Sequence, residues 1–341
     1  MINEFKKIID ISHSIGQCPD LVQGAGGNFS VKIDGRKMFI KASGLKFSEV
    51  SENDGLVAVD YDKLSKYYNA LDFSNISESD STDFINSCVL EKIGSENLKP
   101  SIETGFHVLL GKYVIHTHSV YANIIACALD GENLLKKIFK DFNESVIWLP
   151  YASPGLGLVL VAKKEIDEYK KRYNKLPEAI LMQNHGLIVS GDDIERVSSL
   201  HNEVLGKIKN YLKINEPFFN AKILETGENI FESKTDYLKE FIRNNYRLVK
   251  NISENILFPD LAVFCGELGR KTIIDEITGH ILYKTNHKEA LAMEENLTAW
   301  AYIVSCARNR ELKLHPISQS NVDYINNMES EKYRQKLMHN N

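Results

Sequence analysis

The dipeptide Asp34-Gly35 lies between two short strand-like runs, residues 29–33 and 37–41, and it restricts the fold more than any other feature of the chain. Asp and Gly tolerate the positive φ that a tight turn between strands requires, so this spacing predicts an antiparallel β-hairpin. Further strands are expected at residues 56–60, 113–118, 146–149, 179–182 and 187–190, where β-branched and apolar residues dominate. Helical spacing of apolar residues predicts helices at 3–15, 103–111, 123–129, 132–142, 163–173 and 193–212. Residues 71–84, rich in Ser, Asp and Asn, read as a surface loop.

Pro217, Gly227 and polar residues interrupt the pattern between 215 and 232, so we place a boundary there, dividing the chain into residues 1–225 and a C-terminal α/β extension, 226–341. In the extension we expect a helix at 233–252, a strand at 261–265, a hairpin through 273–283, a helix at 288–307 and a polar tail helix at 321–338. Glu294 and Glu295 read as a solvated helix face, and the role of the extension is not derivable from its sequence.

The chain has 341 residues, enough for one large domain or a main domain with a smaller one. A formal charge of −5 and the absence of a long basic run argue against nucleic acid and against an anionic membrane surface. No stretch approaches the ~18 apolar residues of a membrane span. Phe5, Ile8, Ile11 and Ile15 mark one face of a helix rather than the unbroken apolar run of a signal peptide. Five scattered cysteines without a C-x-x-C pair read as buried free thiols, which points to the cytoplasm.

The chemistry centres on histidine. In Ile115-His116-Thr117-His118 two imidazoles stand at i and i+2 of an expected strand, where side chains share a face. His185, in Asn184-His185-Gly186, ends another apolar strand, and Gly186 lets the backbone turn or approach a neighbour. Three histidines with a fourth position open match a catalytic zinc site. Glu103 either favours the first turn of its helix or acts as a general acid/base beside the metal. The glycine-rich turn 24–30 offers backbone N–H groups to an anion or simply turns into the hairpin, and Lys41, Ser43 and Gly44 could add a second anion contact.

Read in order, Gly24-Ala25-Gly26-Gly27-Asn28-Phe29-Ser30, Lys41-Ala42-Ser43-Gly44, Ser101-Ile102-Glu103-Thr104, His116-Thr117-His118 and Asn184-His185-Gly186 resemble the class II aldolase/adducin family. In its extra length between Gly44 and Ser101 the chain looks closer to rhamnulose-phosphate-type aldolase domains, and it carries a C-terminal extension. The resemblance implies an α/β/α sandwich around a largely antiparallel sheet. It implies zinc, or another divalent ion such as manganese or cobalt, on His116, His118 and His185, with Glu103 as catalytic acid/base. It implies that Gly27, Asn28, Ser43, Gly44 and Ser101 bind substrate or its anionic group, and that the protein is a homo-oligomer, a tetramer in many relatives. The implied activity is lyase chemistry on a ketose or ketose phosphate, cleaving or forming a C–C bond through a metal-stabilised enediolate. The alternatives are a sugar-phosphate 4-epimerase or dehydratase on the same site, or a non-catalytic adducin-like scaffold. Ala25 and Ile102 stand where phosphate-binding relatives often carry hydroxyl residues.

Overall fold

The computed structural model describes residues 2–70 and 76–339. Among these, eight strands form one sheet: β1 (Asn28–Ile33), β2 (Lys37–Lys41), β3 (Leu56–Asp60), β4 (Val89–Ile93), β5 (Tyr113–Thr117), β6 (Val146–Leu149), β7 (Ala179–Met182) and β8 (Gly186–Gly191). Their order across the sheet is β4-β3-β2-β1-β5-β8-β7-β6. Neighbours run antiparallel except β6 and β7, which are parallel. The hairpin forms where expected, with Asp34 at φ 55° and Gly35 at φ 73°.

Both faces of the sheet are covered. On β5, Tyr113 and Ile115 enter one apolar core while Val114 enters a second; on β7 and β8, Leu181, Leu187 and Val189 join the first core and Ile180, Met182 and Ile188 the second. This is the period-2 alternation of a strand, with each face packed against its own set of side chains. Long helices, Leu156–Tyr173 and Ile194–Leu212, supply apolar residues to the second and first core respectively.

A second sheet consists of β9 (Ile223–Gly227), which straddles the expected boundary at 225/226, with β10 (Ile230–Ser233), β11 (Thr272–Ile274) and β12 (Ile281–Lys284) of the extension, in the order β11-β12-β10-β9. The helix His287–Arg308 is buried along most of its length and packs on the helices Val120–Ala126 and Pro259–Cys265. The extension thus shares the first core with the main unit.

Several expectations are corrected. Residues 78–84 are not loop: Ser77 caps the helix Glu78–Ser87 by accepting from the Asp80 N–H, and Asp80 returns the bond; residues 76 and 77 are irregular, and the rest of that expected loop, 71–75, lies outside the described residues. The expected strand at 261–265 is the helix Pro259–Cys265, started by Pro259 and buried on every side, which removes the helical period from its apolar run. The tail helix is two helices, Gln319–Asn327 and Glu329–His339. Glu294 is fully buried, with Ser233 Oγ donating to it at 2.7 Å, and Glu295 accepts from Lys46 Nζ at 3.1 Å, so neither lies on a solvated face. Among the described residues no helix is long and apolar enough to cross a membrane. The cysteines are free thiols, buried except for half-buried Cys18.

Candidate metal centre

The sheet brings the three histidines together through its register. Thr117, the last residue of β5, pairs with Leu187 near the start of antiparallel β8, so the two strand ends carrying His116 and His185 lie side by side. Gly186 permits this approach: a Cβ there would stand 2.3 Å from the Thr117 carbonyl oxygen. Asn184, at φ 53°, turns the chain between β7 and β8, and its Nδ2 donates to the Leu257 and His315 carbonyls at 2.9 and 2.8 Å. The extension therefore pins the turn that holds His185.

The imidazoles of His116, His118 and His185 are buried, and one nitrogen of each lies within 4.8 Å of the others. His116 Nε2 and His118 Nε2 are 3.1 Å apart. Tetrahedral zinc with bonds of about 2.0–2.1 Å needs its nitrogens roughly 3.3–3.4 Å apart. The donor set and its spacing fit a divalent cation. His116 Nδ1 lies 3.1 Å from the Leu187 carbonyl and His118 Nδ1 lies 2.7 Å from Asp260 Oδ2. With both Nδ1 atoms so engaged, the two Nε2 atoms carry the lone pairs. Burial pushes His116 well below the ordinary imidazole range, against the pull of the Glu103 carboxylate.

Glu103 sits at the N-cap of the helix Thr104–Val108, yet its carboxylate makes no cap bond. It faces the histidines instead, with Oε1 2.8 Å from His185 Nε2 and Oε2 3.5 Å from His116 Nε2. Asn28, paired with His116 across β1 and β5, donates its Nδ2 to Glu103 Oε2 at 2.6 Å and to Ser101 Oγ at 3.2 Å. Asn28 Oδ1 is held by His107 Nε2, and His107 Nδ1 lies 2.8 Å from Ser30 Oγ. Burial alone would raise the Glu103 carboxyl, but the imidazoles of His116 and His185 and the contact with His185 hold it well below the usual carboxylate range. Glu103 is therefore an ionised, buried carboxylate at the histidine cluster.

Gly27, Asn28, Ser43, Gly44 and Ser101, the residues expected to bind substrate, line one cleft with Glu103, His118 and His185. The Asn28 side chain is committed to Glu103, Ser101 and His107, which leaves its backbone and the neighbouring residues to face the cleft. Lys41 is buried at the same cleft, its Nζ donating to the Leu45 carbonyl at 2.5 Å, and burial pushes it down to about 7. Four further lining residues come from the extension: Pro259, Asp260, Glu331 and Arg334. Sequence reasoning gave none of these a role in the site, and no local spacing signals it, since Asp260 lies 142 residues beyond His118.

The profile of the Class II Aldolase and Adducin N-terminal domain family matches residues 6–204. That span is more than half of the chain, and the protein belongs to this family. No curated protein matches it. Among solved structures, it is similar to the N-terminal class II aldolase domain of a conserved protein from Thermoplasma acidophilum, at 23% identity and a TM-score of 0.49 over 60% of this chain and 91% of that one. An L-fuculose 1-phosphate aldolase matches at 22% identity and a TM-score of 0.37, covering 61% and 89% of the two chains. A sugar-phosphate aldolase from Thermotoga maritima matches at 15% identity and a TM-score of 0.45, covering 64% and 98%.

Proposed function

We infer that the protein is a divalent-metal-dependent aldolase-type lyase that cleaves or forms a C–C bond in a ketose or ketose phosphate. Membership of the family supports the reaction class. The observation that carries the reading is the buried cluster of His116, His118 and His185 with the Glu103 carboxylate against two of its imidazoles. A scaffold that had abandoned catalysis would have no use for a buried, ionised carboxylate set against three buried imidazoles, which is costly to retain.

His116, His118 and His185 would hold zinc, manganese or cobalt, and such an ion supplies Lewis-acid charge for a developing oxyanion. Glu103 is the acid/base: ionised at rest, it accepts the proton removed from substrate and returns it at the carbon next to the carbonyl. Asn28 orients Glu103 by donating to Oε2, which leaves Oε1 on the side of His185. Gly27, Ser43, Gly44 and Ser101, which line the same cleft, meet the substrate's hydroxyl or phosphate oxygens. Residues 1–225 form the catalytic unit, layered as an α/β/α sandwich, and 226–341 extend it. The protein works in the cytoplasm as a homo-oligomer, a tetramer on the family pattern.

The test is a panel of ketoses and ketose phosphates assayed for release of an aldehyde fragment by the metal-loaded protein. Two fragments from one substrate support the reading. Isomerisation alone would assign the site to a 4-epimerase, and loss of water alone to a dehydratase.

A further inference from the structure

His118 is tied to a part of the chain that the family profile does not cover. Its Nδ1 lies 2.7 Å from Oδ2 of Asp260, in the helix Pro259–Cys265, while the profile ends at residue 204. Asp260 is 1% exposed. Its other oxygen, Oδ1, accepts from Arg334 Nη2 at 2.8 Å, and Arg334 Nη1 donates to Glu331 Oε2 at 2.9 Å. A buried chain of four groups thus runs from the C-terminal helix Glu329–His339 to the ring of His118.

A second observation concerns the glycine turn. A Cβ on Gly26 would stand 2.3 Å from Asp260 Oδ2 and 2.6 Å from His118 Nδ1, directly on that hydrogen bond. Gly26 does not adopt positive φ, so backbone conformation does not demand a glycine there. The space is reserved for the carboxylate and the imidazole.

We propose that Asp260 is a positioning residue for the metal centre: it accepts the Nδ1–H of His118, fixes the Nε2 lone pair toward His116 and His185, and is itself oriented by Arg334, with Gly26 kept small to admit the contact. The proposal rests on the metal-binding reading of the three histidines. A carboxylate on the far nitrogen of a ligating imidazole fixes its tautomer and raises its basicity. Here that carboxylate comes from the extension, which makes residues beyond the family domain part of the metal centre.

Asp260→Asn separates positioning from bulk structure because it preserves shape. Arg334 offers only donors, so the asparagine must turn its oxygen toward Arg334 and its amide toward His118. The amide then donates to Nδ1, and the His118 proton moves to Nε2, where it blocks ligation. Zinc affinity of the full chain is measured by competition with a chromogenic chelator, and the His118 tautomer by long-range ¹H–¹⁵N correlation on histidine-labelled protein. The expected result is a ~10–100-fold weaker zinc affinity in Asp260→Asn, a His118 tautomer switched from Nδ1–H to Nε2–H, and an unchanged circular dichroism spectrum. Gly26→Ala, which leaves Asp260 in place, weakens zinc in the same direction. Zinc affinity within twofold of wild type in both variants, with the His118 tautomer unmoved, overturns the positioning role while leaving the metal reading intact. A wild-type protein that binds no zinc, manganese or cobalt overturns both.

Discussion

His185 Nε2 stands 2.8 Å from Glu103 Oε1, joining the turn between β7 and β8 to the start of the helix Thr104–Val108. Neither element touches the other along the sequence, and the contact exists only because β5 and β8 are neighbours with β1 on the far side of β5. It places an ionised carboxylate at the histidine cluster without making it the cap of its own helix.

Glu103→Gln keeps the shape of this contact and removes the proton acceptor. Turnover falls by ~10²–10⁴-fold, the usual worth of a general acid/base. Bound metal per chain stays at the wild-type level, because the ligands are untouched. Parallel steady-state kinetics and elemental analysis check both halves; loss of metal together with activity would assign Glu103 to the ligand set instead.

Burial makes the protein acid-sensitive through histidines that do not ligate. His201 lies 2.8 Å from Thr117 Oγ1 and is pushed down to about 4 by burial. The unfolded chain takes up this proton near pH 6.5 and the folded chain only near 4, so stability is lost as pH falls through that window. The effect is on the order of 3 kcal/mol. His107, pushed down to about 3, acts in the same direction. His201→Gln should flatten the fall in unfolding free energy between pH 6.5 and 4, measured by denaturant titration of the metal-free protein.

Glu294 has the opposite sign. Burial raises its carboxyl above the ordinary glutamate value of about 4.5, against the hydrogen bonds from Tyr283 and Ser233 that lower it. The unfolded chain ionises this group first, so stability declines as pH rises from about 4.5 toward the raised folded value. Glu294→Gln, which keeps the shape of the side chain and an oxygen acceptor for one of the two hydroxyls but cannot ionise, should lose that decline. The check is the slope of unfolding free energy against pH on the alkaline side of 4.5, shallower in the variant than in wild type.

The legible parts of this protein are those encoded locally. The hairpin through Asp34-Gly35, the strand 113–117 and the paired signals at His116 and His118 follow from turn chemistry and side-chain alternation over a few residues. Edge strand β4 carries Glu91 and Lys92 and exposes Leu90, so it shows no buried alternation to read. Pro259 announces a helix start, yet the five apolar residues after Asp260 have no polar face and read as a strand. Glu294 and Glu295 look like solvent-facing charges because sequence cannot show that their helix is enclosed by neighbours from the extension and the glycine turn. Asp260 meets His118, and Arg334, 74 residues further on, meets Asp260, only through tertiary packing.

The central claim is that three imidazoles share one cation, and metal content tests it most directly. After expression with zinc and removal of loosely bound metal, inductively coupled plasma mass spectrometry should find one divalent ion per wild-type chain. His116→Ala, His118→Ala and His185→Ala should each retain close to none. A wild-type chain that holds no stoichiometric divalent metal, or single variants that keep a full equivalent, would contradict the account.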